Sequence, residues 1–388
     1  MEIEEKFFPE LANEDAFSVE KSSYLWTTDP VVIKRRQKLL SEKLNVVELF
    51  CGCGGTSLGF EMAGYQTALG IDMLKPAIST FAKNHPTATT ILGDIRKIST
   101  DMILEQLPTK VEVVIAGIPC QGFSLNNRKR HDSDERNFLY KELLRILAVI
   151  KPNAVMVENV SGIRSSSNGE IVESIEKGIW ETCGLKVNHK LLTACEYGVP
   201  QIRKRVVFIG VKNSNGFNFD DIIKTHGPEG TRPFNTVHDA IGDLPIIESG
   251  CSAEHYTVSP TTEYQKMMRA GSQILLNHSA PSHPQETIDK IANTIPGEPM
   301  YPRFKQRIRL KWDDLSPTQV SGGIRPQFQF GHPAQARGLT IRERCRIQSF
   351  PDTFEVMGGL VQARVQTGNA VPPLLAKAVA TALKKYID

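Results

Sequence analysis

A chain of 388 residues, 40% of them hydrophobic, is sized for a globular protein of about two domains. No apolar run reaches the roughly 18 residues of a membrane span, and the acidic start Met1-Glu2-Ile3-Glu4-Glu5 lacks the apolar stretch of a secretory signal, so a cytoplasmic protein without a membrane partner is expected. A net charge of +3 neither demands nor excludes nucleic acid, and seven scattered cysteines argue against a disulfide framework while leaving a reactive thiol open.

Residues 1–44 read as an N-terminal extension, in which Lys34-Arg35-Arg36-Gln37-Lys38 is a solvated helix face or a phosphate contact. From Asn45 short apolar runs alternate with helical patterns. Strands are expected at Asn45–Leu49, Thr67–Ile71, Val111–Ile115, Asn153–Val157 and Arg205–Ile209. Helices are expected at Thr56–Ala63 before Gly64, at Asn137–Ile150 before Pro152, and at Ile171–Cys183 before Gly184. This alternation predicts an α/β fold for 45–212, a doubly wound, mostly parallel sheet covered on both faces. In 213–335 prolines, glycines and polar residues are frequent and periodicity is poor, as in a smaller, irregular domain. Helical patterns return at Thr340–Gln348 and Pro372–Tyr386, where paired prolines suit a helix start. Residues 336–388 are expected to lead back to the large domain.

Open α/β sheets bind ligands beyond the carboxyl ends of their strands, and the unusual residues fall there. The first strand runs into Phe50-Cys51-Gly52-Cys53-Gly54-Gly55 and a helix, so that close backbone approach and free N–H groups suit a nucleotide-like cofactor. Asp72 ends the next strand about twenty residues after the glycines, the spacing of an acid that binds ribose hydroxyls. Asp94 closes Ile91-Leu92-Gly93-Asp94-Ile95. The glycine spacing departs from the dinucleotide pattern, which disfavours an NAD enzyme. A further strand ends in Pro119-Cys120-Gln121; Cys120 is either a reactive thiol or a buried structural one. Glu158 follows an apolar strand to the same edge, and Arg203, Lys204 and Arg205 open the next strand. Cys51 and Cys53 have no partner pair at zinc spacing, so no metal is expected.

Phe50-x-Gly52-x-Gly54-Gly55, Pro119-Cys120-Gln121, Glu158-Asn159-Val160, Gln201-x-Arg203-x-Arg205 and Gln366-Thr367-Gly368-Asn369-Ala370-Val371 resemble, in this order, the motif set of the DNA (cytosine-5)-methyltransferase family. Arg337 to Phe354 resembles the motif preceding the last, so the likeness runs from Asn45 to the C-terminus with a variable stretch between. The resemblance implies a Rossmann-like class I methyltransferase fold, S-adenosylmethionine as methyl donor and double-stranded DNA as partner of a monomeric enzyme of restriction-modification type. In it Phe50 packs on the donor's adenine, Asp72 binds its ribose and Asp94 the adenine amino group. Gly52, Gly54, Gly55, Met73, Ile95, Pro119, Asn369 and Val371 complete that pocket. Cys120 adds to C6 of a flipped-out cytosine, Glu158 serves N3, and Arg203 and Arg205 hold the flipped nucleotide and its phosphate. The rival readings are a tRNA cytosine-5 methyltransferase, whose Cys-Phe-Thr element is not found here, and a catalytically idle DNA-binding homologue.

Two basic stretches bear on DNA contact. Arg128-Lys129-Arg130 form a loop close to Cys120, able to close over a substrate. Arg303, Lys305, Arg307, Arg309 and Lys311 alternate with Phe304, Gln306, Ile308, Leu310 and Trp312, which on a strand gives one basic face suited to phosphates. Target sequence is not legible; it is expected to be read by 213–335.

Overall fold

A computed structural model describes residues 29–119, 139–164, 170–321 and 329–387. Its centre is an eight-stranded sheet: β1 (Val31–Ile33), β2 (Asn45–Leu49), β3 (Gln66–Asp72), β4 (Thr89–Leu92), β5 (Val113–Ala116), β6 (Ala154–Val160), β7 (Lys186–Thr193) and β9 (Lys204–Val211). A separate short pair joins β8 (Gln201–Ile202) to β10 (Ser316–Pro317). The spatial order is β1-β4-β3-β2-β5-β6-β9-β7. Strands β4, β3, β2, β5 and β6 run parallel, whereas β1 and β9 are antiparallel to their neighbours. The expected doubly wound α/β class is therefore the observed one.

Both faces of the sheet are covered, which is why the central strands read as unbroken apolar runs. Val46, Val113, Met156 and Ile209 pack to one side with Phe60 and Tyr65; Val47, Leu49, Val114 and Val155 pack to the other with Leu143, Ile146 and Leu147. Helix α1 (Gly55–Met62) follows β2, and α2 (Lys75–Asn84) and α3 (Thr100–Leu104) flank β4. Helices α4 (Leu139–Ile150) and α5 (Glu170–Cys183) flank β6; α4 buries Leu143, Ile146 and Leu147 at the spacing of one helical face. The helices described between β9 and β10 are short: α6 (Val237–Ile241), α7 (Glu263–Arg269) and α8 (Gln285–Asn293). Buried Val237, Ile241, Met268, Leu275 and Phe330 join the cluster beneath Val46 and Phe60.

The chain ends in α9 (Ile341–Ile347), α10 (Leu360–Asn369) and α11 (Pro373–Leu383). A capping box between Thr340 and Glu343 starts α9, and Pro373 occupies the first turn of α11. Helix α11 lies against α1, where Gly59 leaves no room for a side chain: an added Cβ would stand 2.4 Å from Ala376 Cβ and 2.5 Å from the Pro373 carbonyl oxygen.

The basic cluster near the N-terminus departs from expectation. Val31–Ile33 forms an edge strand on β4, and residues 34–38 are not helical. Arg35 donates to the Gln106 carbonyl at 2.6 Å and to Thr89 Oγ1 at 3.2 Å, and Arg36 to the Ala82 carbonyl at 2.8 Å. These side chains tie the edge strand down, and a solvated helix face is excluded.

Candidate active site

Strand order reverses between β2 and β5, whose last residues Leu49 and Ala116 pair, so a crevice opens beyond their carboxyl ends. Leaving β2, Phe50, Gly52 and Gly54 take positive φ values of 56°, 52° and 91° and coil the chain tightly into α1. Asp72, at the end of β3, fastens this turn: Gly52 N–H donates to Oδ2 at 2.8 Å and Leu74 N–H to Oδ1 at 2.9 Å. Burial pushes the Asp72 carboxyl up, against the pull of those donors. A Cβ on Gly52 would meet nothing within 4 Å, so the turn faces open space. A Cβ on Gly55 would stand 2.3 Å from the Val371 carbonyl oxygen, which places the backbone after α10 against the start of α1.

The other cofactor candidates divide. The exposed Met73 side chain lies beside Asp72, and Asn369 is exposed while Val371 is buried. Phe50 packs against the cluster that contains Val47 and Ile118. The Ile95 side chain is buried in that same cluster, leaving only its backbone for a ligand. Asp94 is engaged by Arg96, whose Nε and Nη2 reach its two oxygens at 3.0 and 2.7 Å, and this pairing holds the carboxyl below its usual range.

Beyond β5 the chain passes through Gly117, Ile118 and Pro119 toward Cys120. Cys120 itself and Arg128-Lys129-Arg130 lie outside the described residues. On the adjacent β6, Asn159 Nδ2 donates to the Ile118 carbonyl at 3.2 Å, tying down the segment that carries Pro119. Glu158, also on β6, is 9% exposed, and Arg205 Nε stands 2.7 Å from its Oε1. Burial raises the Glu158 pKa, while Arg205 and Arg203 oppose the rise.

Arg203 lies inside the fold. Its guanidinium is fully buried and donates to the carbonyls of Gln319 at 3.0 Å, Gly368 at 2.8 Å and Asn369 at 3.4 Å. These bonds tie the segment that leads into β9, the strand that carries Arg205, to the end of α10. Arg205, on β9, is paired with Glu158.

The alternating stretch 303–311 is not a strand. Residues 302–306 are turns and irregular chain, with isolated bridges at Ile308 and Arg309. Arg307 is buried near the rings of Tyr301 and Phe304, and Arg309 donates to the carbonyls of Ala292 and Thr294 at 3.0 Å. Lys311 lies 3.7 Å from Asp314. Only Arg303 and Lys305 remain as exposed charges without such ties, so a five-residue basic face does not exist.

Sequence reasoning missed the groups beneath the glycine turn. Glu48 is buried in β2, accepts from Ser57 N–H at 3.1 Å and is pushed up to about 7 by burial. His85 is wholly buried and contacts Glu61 through Nδ1 at 2.9 Å. A glutamate inside the apolar run Val46-Val47-Glu48-Leu49 was the available signal. No grouping of side chains suited to a metal occurs among the described residues.

Known proteins resemble this chain in sequence and fold. The family model for C-5 cytosine-specific DNA methylase matches residues 44–385. The chain is 35% identical over 376 residues to the Type II methyltransferase M.DdeI of Desulfomicrobium norvegicum, covering 89% of each chain. It is 33% identical over 385 residues to the Type II methyltransferase M1.HphI of Haemophilus parahaemolyticus, covering 95% of each. Among solved structures, a DNA modification methyltransferase encoded within an E. coli prophage superposes with a TM-score of 0.74 at 26% identity, over 89% of this chain and 99% of that one.

Proposed function

The chain belongs to the C-5 cytosine-specific DNA methylase family, and from that premise we propose a restriction-modification methyltransferase that attacks a flipped-out cytosine through Cys120. The observation that carries the reading is the placement of Glu158. It is a buried carboxyl with a raised pKa, on the strand beside the one that leads to Pro119 and Cys120, at the edge that holds the glycine turn.

The residues of the turn fit S-adenosylmethionine. Gly52 opens onto free space, the N-terminus of α1 offers backbone donors, and Met73 exposes an apolar side chain beside Asp72. Gly52, Gly54, Gly55, Asp72, Met73 and the backbone at Asn369 and Val371 would hold the donor, with Phe50 against its adenine. When bound, the donor supplies an electrophilic methyl group on a sulfonium centre.

Carbon 5 of cytosine is a weak nucleophile. Addition of the Cys120 thiolate to C6 makes the C5–C4–N3 system electron-rich, because sulfur attacks well at modest pKa. Glu158, whose protonated form burial favours, donates at N3 and so offsets the negative charge that arrives there. Arg205 orients Glu158. After C5 takes the methyl, a base removes the C5 proton, the C6–S bond breaks and Cys120 leaves as thiolate. The base must leave the duplex for this attack. Residues 213–335 would read the surrounding bases, and Arg303 and Lys305 would meet phosphate. Methylation of a recognition sequence would protect host DNA from a cognate endonuclease.

The test is a duplex with 5-fluorocytosine, in which fluorine cannot leave as the proton does. With S-adenosylmethionine the wild type should form a denaturant-resistant adduct, and Cys120→Ser should form none while still binding the donor. Absence of adduct on DNA, or transfer to tRNA alone, overturns the reading.

A further inference from the structure

The glycine turn is braced from beneath by a pair, wholly buried His85 and partly buried Glu61, that the methyl-transfer chemistry does not use. His85, at the end of α2, has no solvent exposure. Its Nδ1 lies 2.9 and 3.0 Å from the two carboxylate oxygens of Glu61 on α1, and Thr67 Oγ1 donates to Glu61 Oε1 at 2.6 Å. The ring lies tilted against Phe81, with centroids 4.4 Å apart, and edge-on to Phe354. Its other nitrogen fills the space beneath Gly54. A Cβ on Gly54 would stand 2.2 Å from His85 Nε2, so both the backbone angle and the imidazole require glycine there. Nε2 makes no hydrogen bond of its own, although the Gly54 backbone favours the charged ring.

We propose that His85 is a positioning residue for methyl-donor binding: anchored to Glu61, its ring supports Gly54 from below and sets the backbone donors of the 51–55 turn. The inference rests on the assignment of that turn to S-adenosylmethionine. A purely apolar filler would need no partner, whereas this ring is held by a carboxylate on the helix that the turn begins. The charge pattern is consistent. Burial disfavours the imidazolium, yet Glu61 outweighs it and, with Glu48, raises the His85 pKa; Glu61 is correspondingly lowered despite its own burial. Glu61 of α1 and Glu48 of β2 are the charged groups that face the ring; Phe81 and Phe354 bring none.

A histidine with a raised pKa stays charged below its ordinary value and loses the charge as pH rises through the raised one. The brace is therefore complete in mildly acidic solution and weakens on the alkaline side. Glu48 also titrates at about 7, so the displacement caused by Glu61→Gln is the deciding measurement. The experiment is calorimetric titration of the full-length protein with S-adenosylmethionine across pH, for wild type, His85→Asn and Glu61→Gln, with nitrogen NMR of the imidazoles alongside. Both variants should lose about tenfold in donor affinity, the scale of one charge-assisted hydrogen bond, and keep wild-type affinity for duplex DNA. In Glu61→Gln, His85 should deprotonate at lower pH, and the alkaline loss of affinity should move with it. Wild-type donor affinity in both variants, or an alkaline loss that stays in place, overturns the proposal. If His85→Asn does not fold, the displacement in Glu61→Gln decides. A wild type that does not bind the donor at all overturns the cofactor assignment as well, whereas normal binding with indifferent variants overturns this proposal alone.

Discussion

Glu158, on β6, and Arg203, between β8 and β9, show how burial divides two ionisable groups. Glu158 loses solvation and gains one close cation, Arg205, and the balance leaves its pKa raised. The sign follows: a carboxyl with a raised pKa keeps its proton to higher pH than an ordinary glutamate, so the proposed donation to N3 would be available below that pKa and lost above it. Glu158→Gln should lower single-turnover methylation by about 10²–10⁴-fold, the usual contribution of a positioned acid, and remove the alkaline limb set by this group. A rate profile that keeps that limb in the variant assigns the acid elsewhere. Arg203 donates to three carbonyls through its two terminal nitrogens, while its Nε is buried without a hydrogen-bond partner. Arg203→Met should cost about 1.5–3 kcal/mol, the value of hydrogen bonds to a charged donor, measurable by urea unfolding. It should weaken donor binding through Asn369 and leave the salt dependence of DNA binding intact.

At the scale of elements, α1 and α11 approach closely, and the backbone at Val371 stands against Gly55 beside the glycine turn. Gly59 provides that approach, since Ala376 and the Pro373 carbonyl occupy the position of its missing Cβ. Gly59→Val should cost about 1–3 kcal/mol or more as overpacking and should separate Val371 from Gly55, weakening donor binding together with stability. Unchanged thermal stability would mean that α11 can move away freely. Which elements were readable follows from their surroundings. β2, β5, β6 and β9 lie inside the sheet, so burial on both faces leaves a continuous apolar run in the sequence. β7 is an edge strand and carries Lys186, Asn188, His189 and Lys190, so no such run marks it. Helix α2 hides because Lys75-Pro76-Ala77-Ile78-Ser79-Thr80 reads as a turn, although Pro76 sits in the first turn where helices accept it. Residues 303–311 mislead in the opposite sense: their alternation has the period of a strand, but Arg307 and Arg309 turn inward to rings and carbonyls.

For the whole molecule, the site was legible where it depends on strand ends and hidden where it depends on packing between distant segments. Glu158 and Asp72 could be placed from the alternation alone. The brace from His85 and the inward turn of Arg203 could not, because Gly54 and Asn369 reach them only through the folded chain. The same distinction governs DNA affinity. With a net charge of only +3, binding to a polyanion depends on which cations reach the surface. Replacing both Arg303 and Lys305 by glutamine should flatten the dependence of log K on log salt by up to about 1.8, near 0.9 for each phosphate no longer neutralised. Arg307→Gln should leave that slope unchanged and lower stability instead, because its guanidinium is buried near Tyr301 and Phe304. Filter-binding titrations at several salt concentrations, with urea unfolding in parallel, separate the two effects. A slope that responds to Arg307 and not to Arg303 and Lys305 would place the phosphate-binding cations on the face that the fold has turned inward.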